Sequence, residues 1–254
     1  MKKVKVIFIV LVVMFCGQLV FSQYIPRKGE IQGAIQQYAD TNTIAITPGY
    51  GEANGNYWEI TEAFLYNVTS LDLLGSFHYL YIDDDASVYP TPTIIDSTTA
   101  PSWSSTLYGW YNGNDRCIGV LASPVGNDIL SAFKAEDFGN RVEYLFMNGS
   151  NKLLLSGANP TGNWETLEAT AYTPVNVKKV RIQAYEQDID SNFSLFVSSF
   201  EGKSTGELRA NGYKGLNYAT DYISLGDSHN LAWKGDNDDD NMTTIVICGY
   251  IYSR

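Results

Sequence analysis

The 254-residue chain carries 28 acidic residues against 17 basic ones, a formal net charge of −11. A surface of that sign repels phosphate backbones and anionic membranes, which argues against nucleic-acid and membrane-surface binding. The length suits one large β unit, since sandwiches and barrels often reach this size as single domains.

Lys2, Lys3 and Lys5 precede an unbroken apolar run, residues 6–16, and a more mixed stretch to Ser22. That three-part layout is a secretory signal peptide, expected to be cleaved after Ser22 or Gln23. Its apolar core is well short of the ~20 residues a spanning helix needs. The leader removes three lysines and no acid, so the mature chain 23–254 keeps 14 basic residues against 28 acidic, a formal charge of −14. The expected location is outside the cell or at its surface.

Beyond the leader the hydrophobic period is two nearly everywhere. Strands are predicted over 43–47, 57–65, 76–82, 116–122, 141–147, 152–156, 165–172, 177–186, 193–200 and 243–252. These runs are rich in Val, Ile, Thr, Tyr and Phe, which fit a pleated, half-buried surface. In 76–82 both alternating faces are apolar, which predicts a strand covered on each side. Asn148-Gly149 reads as a hairpin between its flanking runs, and Asn112-Gly113-Asn114-Asp115 as a turn. Two short helices are expected, near 31–38 and 127–135. Residues 90–115, rich in Pro, Thr, Ser and aromatics, read as an excursion from the sandwich or as a sub-boundary. The expected fold is an all-β antiparallel sandwich, jelly-roll-like, with few or no helices.

Catalytic signatures are missing from the sequence. It has two histidines, His78 and His229, and no Gly-x-Ser-x-Gly, His-Glu-x-x-His or phosphate-loop motif. His78, inside an apolar strand, reads as a packed side chain. Glu59 beside Trp58 and Glu165 beside Trp164 have the chemistry of sugar-handling pairs. Strand alternation explains them more simply, as an outward acid next to an inward aromatic.

Three constellations remain. The run 236–241 offers Asp236, Asp238 and Asp240 as oxygen ligands for calcium; the alternative is a solvated acidic tip that guards a sheet edge. Trp103, Tyr108, Trp110 and Tyr111 fall within nine residues of sequence. They read equally as a ligand or interface surface and as a lid on the core. After leader removal Cys117 and Cys248 are the remaining cysteines, and in an exported chain they are expected either to form a disulfide or to stand as two buried thiols.

Tyr79-Leu80-Tyr81-Ile82, the Pro92–Pro101 segment, Arg116-Cys117-Ile118-Gly119-Val120 and the closing Gly249-Tyr250-Ile251-Tyr252-Ser253-Arg254 carry a resemblance. On them the chain resembles the β-sandwich domains of tail fibres and related surface proteins of tailed phages. The resemblance implies fibre or adhesion modules, often trimeric. It transfers no catalytic residue, because the matched positions are scaffold. The secretory leader departs from a virion protein; a bacterial surface protein sharing the domain, or a prophage-derived gene put to extracellular use, would reconcile the two.

The reading is an exported, non-enzymatic structural, adhesive or ligand-binding module, facing a surface glycan or other extracellular ligand, and the resemblance implies a fibre-like homotrimer. The alternative is a secreted carbohydrate-active domain, lectin-like or a jelly-roll glycosidase.

Overall fold

The computed structural model describes residues 27–68, 77–83, 92–122, 133–136, 141–144, 153–158, 162–199, 208–225, 229–235 and 242–254. The leader, the Asn148-Gly149 turn and the acidic run with Asp236, Asp238 and Asp240 lie outside these residues.

In chain order the strands begin with β1 (Ile31–Gly33), β2 (Gln36–Tyr38), β3 (Thr43–Ile46), β4 (Gly49–Ala53), β5 (Asn56–Ile60) and β6 (Phe64–Asn67). Next come β7 (Phe77–Ile82), β8 (Ile94–Ser97), β9 (Ser102–Ser104), β10 (Gly109–Asn112) and β11 (Asp115–Ala122). Then follow β12 (Phe133–Glu136), β13 (Arg141–Tyr144), β14 (Leu153–Ala158) and β15 (Glu165–Glu168). The last are β16 (Val177–Ser199), β17 (Leu208–Ser224), β18 (Asn230–Gly235) and β19 (Met242–Tyr252). Among the described residues the one helical element is a 3₁₀ turn, Thr170–Tyr172. The fold is all-β and sandwich-like, as period-two patterning predicts.

Among the described residues all pairings are antiparallel and fall into four sheets: β1-β4-β5, β2-β3-β6, β8-β7-β11-β10-β9, and a large sheet centred on β16. One edge of β16 pairs with β17. Its other edge is shared by β19, over Val177–Gln187, and β18, over Leu195–Ser199. Buried apolar residues from all four sheets form one connected core. Strand β7 is buried on both faces from His78 to Ile82, as its sequence pattern requires.

Several expectations need correction. Residues 31–38 form two strands in place of a helix. Gly33 (φ 67°) and Ala34 (φ 50°) are left-handed, which turns the chain between β1 and β2. Near 127–135, the described part from Phe133 onward is strand β12. The described part of the 90–115 segment, from residue 92, is no excursion: β8, β9 and β10 are integral to the five-stranded sheet. The hairpin expected around Asn148-Gly149 lies outside the described residues; the described ends of its two runs, β13 and β14, each pair with β19. Both run antiparallel to β19, so they follow one another along its edge in the same direction.

The sheets are joined through one buried amide. Gln36 is 2% exposed. Its Nε2 donates to the carbonyls of Ala34 (2.8 Å) and Ile118 (3.0 Å), and its Oε1 accepts from the Tyr252 hydroxyl at 3.4 Å. Gly119 makes room, because a Cβ there would overlap the Gln36 amide. Arg254 adds bonds from Nη2 to the carbonyls of Gly33 (2.9 Å) and Ala34 (3.1 Å), and Tyr250 donates to the Val120 carbonyl at 3.2 Å. Replacing Gln36 by Leu strands the Ile118 carbonyl and the Tyr252 hydroxyl. Urea denaturation should register a loss of about 1–3 kcal/mol.

Burial also sets an alkaline limit. It pushes Tyr79 up to about 12, and it raises Tyr81 and Tyr252 further. For groups raised on folding, the stabilisation is full below the ordinary tyrosine value and is lost as pH rises through the folded one. Phenolate absorbance of these tyrosines should therefore appear cooperatively with unfolding above about pH 10. A smooth, non-cooperative titration would contradict their burial.

Candidate functional site

The aromatic cluster sits on a hairpin. β9 and β10 pair with Trp103 opposite Trp110. Cross-strand partners share a face, so the two indoles meet edge to face, with centroids 5.7 Å apart and planes at 68°. Trp103 is 52% exposed and Tyr108, at the end of the turn, 63%. Tyr108 holds a φ of 54°, in the left-handed region that few non-glycine residues adopt. Trp110 is half-buried beneath its partner.

Tyr111 belongs to the opposite face. It is 3% exposed. The Arg116 guanidinium lies over its ring, 5.1 Å from the centroid. Of the four aromatics picked from sequence, the structure therefore brings Trp103 and Trp110 together, sets Tyr108 at their turn, and sends Tyr111 inward as support. The surface and lid readings divide along the strand's alternation.

Arg116 supports the hairpin from below. It is 1% exposed and donates to the carbonyls of Trp110 (3.4 Å) and Gly29 (3.1 Å). Burial lowers its pKa; the nearby Tyr111 and Glu52 act in the opposite direction. Gly109 gives that guanidinium room, since a Cβ there would overlap it. Gly29 (φ 75°) similarly abuts the carbonyls of Leu107 and Tyr108. Its amide donates to Glu52 Oε2 at 2.9 Å, while Glu52 Oε1 takes the Gly55 amide. The hairpin base is thereby tied to the β1-β4-β5 sheet.

Strand alternation accounts for the first acid–tryptophan pair but not the second, since Trp164 precedes β15 and is half-buried like Glu165, which shares a face with the buried Leu167. Trp58 is fully buried, packed where Gly51 leaves space, and Glu59 lies on the other face of β5. Lys234 Nζ lies over the ring of Trp164, 5.1 Å from its centroid. Glu59 gains a neighbour that sequence spacing concealed: the register sets it beside Tyr50. The signal for that pairing was Asn54-Gly55, with φ of 48° and 87°, between two strand-like runs.

His78 is fully buried, and neither ring nitrogen has a hydrogen-bond partner. Burial pushes its imidazole pKa down, partly offset by the charge of Asp96. Asp96 in turn accepts from the Tyr66 hydroxyl at 2.6 Å. Among the described residues no group of three or more His, Cys, Asp or Glu side chains is arranged to hold a metal ion.

Of the two states expected for Cys117 and Cys248, the structure has the unbridged one. Both residues are buried thiols. Each stands at a bulge, where strand register shifts: between Cys117 and Gly119 on β11, and opposite Arg181/Ile182 on β19. The extra residue lets each sulfur reach a backbone carbonyl, Gly119 at 3.6 Å and Arg181 at 3.3 Å. Burial pushes the Cys117 thiol up to about 12, so it is not nucleophilic at neutral pH.

Compared with protein-family models and with curated proteins, the chain matches neither. The residues behind the phage-fibre resemblance lie on β7, β8, β11 and β19, which build the core and the sheet pairings.

Alkylation tests the cysteines. Native protein should leave Cys117 unlabelled, and unfolding without reductant should expose both cysteines to the reagent. A requirement for reductant before labelling would establish a bridge.

Proposed function

We propose that this protein is an exported, non-enzymatic adhesive module that presents the 102–112 hairpin to a ligand on an extracellular surface. One observation carries the reading: the Trp103–Trp110 pair and Tyr108 form an aromatic ridge with two of its three rings more than half exposed. Large apolar rings left in water forgo about 25 cal/mol per Å² of stabilisation that burial against a partner would supply. Tyr111, Arg116 and Gly109 brace the ridge from the core side, so little ordering cost remains for binding. Aromatic faces of this kind suit sugar rings and protein hot spots alike.

The leader supports export, and the resemblance to fibre domains supports a homotrimer. Three ridges on one particle would turn a weak contact into a firm one through avidity. Light scattering of the mature protein should give three times the chain mass. The acidic run completes the reading as a calcium site on Asp236, Asp238 and Asp240. Calcium should raise the melting temperature, and Asp238→Asn with Asp240→Asn should abolish the rise.

The ridge is tested by Trp103→Ala and Tyr108→Ala, scored on a glycan array and on intact cell surfaces. Each should weaken binding on the order of tenfold while shifting the melting temperature little, because both rings are mostly outside the core. Undiminished binding by the double variant would refute the ridge as the contact surface.

A further inference from the structure

The β1-β4-β5 sheet has an apolar face, with Trp58 and Ile60 in the core, and a polar face with an internal order. Register places Gln32, Tyr50 and Glu59 side by side across the three strands. The neighbouring row pairs Glu52 with Tyr57, and Glu30 joins it where its carbonyl accepts the Glu52 amide at 3.1 Å. The second row holds the first in position. Tyr57 donates its hydroxyl to Glu59 Oε2 at 3.1 Å, and Gln32 Nε2 donates to Glu30 Oε1 at 2.8 Å.

Above the first row lies a groove of about 380 Å³, bordered by Pro48 and Thr61. Its backbone wall is the Gly33–Gly49 pair, where a Cβ on either residue would overlap the opposite strand. The groove is at the small end of the range of about 300–1,000 Å³ typical of small-ligand sites.

We propose that this groove binds a neutral saccharide unit. An aromatic ring flanked by a carboxylate and an amide matches a pyranose, whose C–H face stacks on the ring and whose hydroxyls donate to the flanking oxygens. The two braces leave Glu59 Oε1 and the Gln32 amide oxygen outside the bonds that hold them in place, as acceptors for those hydroxyls. Glu30, Glu52 and Glu59 on one face repel an anionic sugar, which selects an uncharged one. Because Tyr57 and Glu30 fix the acceptors beforehand, binding does not have to order them. The groove is separate from the Trp103–Trp110 ridge, and the inference does not depend on the ridge reading.

The test is an NMR titration of the isotope-labelled full mature chain with neutral hexasaccharides of glucose, mannose and galactose. At least one should shift the Gln32 side-chain amide and the Tyr50 ring signals saturably. Tyr50→Ala should weaken that binding about tenfold, and Glu59→Gln, which keeps the shape and one acceptor, about threefold. Trp103→Ala should leave the groove titration unchanged, so failure of the ridge and failure of the groove are read apart. Glu59→Gln carries the test alone if Tyr50→Ala does not fold. Shifts confined to the ridge, equal affinity in Glu59→Gln and Tyr50→Ala, or no shift with any of the three sugars would overturn the proposal.

Discussion

The buried amide of Gln36 is the constraint on which the arrangement of sheets depends. A carboxamide cut off from water must have its donors and acceptor satisfied, or it costs the fold its full desolvation penalty. Here the satisfaction comes from three places: its own turn at Ala34, the Ile118 carbonyl on β11 and the Tyr252 hydroxyl on β19. Apolar packing would tolerate small slips between sheets, whereas directional bonds with Gly119 pressed against the amide do not. The Arg254 bonds to Gly33 and Ala34 fix the same corner from the other side.

From that corner the surface features follow. β1 and the Gly29 turn are set against the hairpin base, so the Arg116 guanidinium has carbonyls to receive it and an aromatic ring beneath. An arginine held this deeply is costly to bury unless its bonds are made, so the hairpin cannot shift without exposing that cost. Trp110 faces the ridge while Tyr111 is hidden for a simple reason. Alternation on β10 sends neighbouring rings to opposite faces.

Much of the fold was legible in the sequence because β-branched and aromatic alternation survives without context. β7 and β11 were recognisable at once, and the Asn112–Asp115 turn joins β10 to β11 with Asn112 opposite Asp115. The misreadings have physical causes. β17, with Asn, Gly, Lys and Thr among its aromatics, lacks the composition of a strand and is recruited by pairing along β16. The helix expected at 31–38 is broken by the left-handed Gly33 and Ala34, which turn the chain between two strands. For the site, Trp103, Tyr108 and Trp110 could be named, but not their division from Tyr111. The Gln32–Tyr50–Glu59 row could not be found from spacing, because register across three strands creates it. The choice between a bridge and two buried thiols stayed open because bulges, which decide where a sulfur points, leave little trace in a single sequence.

The bond between Tyr252 and Gln36 spans 216 positions of chain. On the ribosome, Gln36 is complete long before its acceptor oxygen has a donor to meet. At about 5–20 residues per second, the early strands wait roughly 10–40 s for the last one. Through that interval their edges and apolar faces are open to the wrong neighbour, and closing so long a loop is slow even once the partner exists. The corner that makes the finished molecule definite is thus closed only once the final strand has been made.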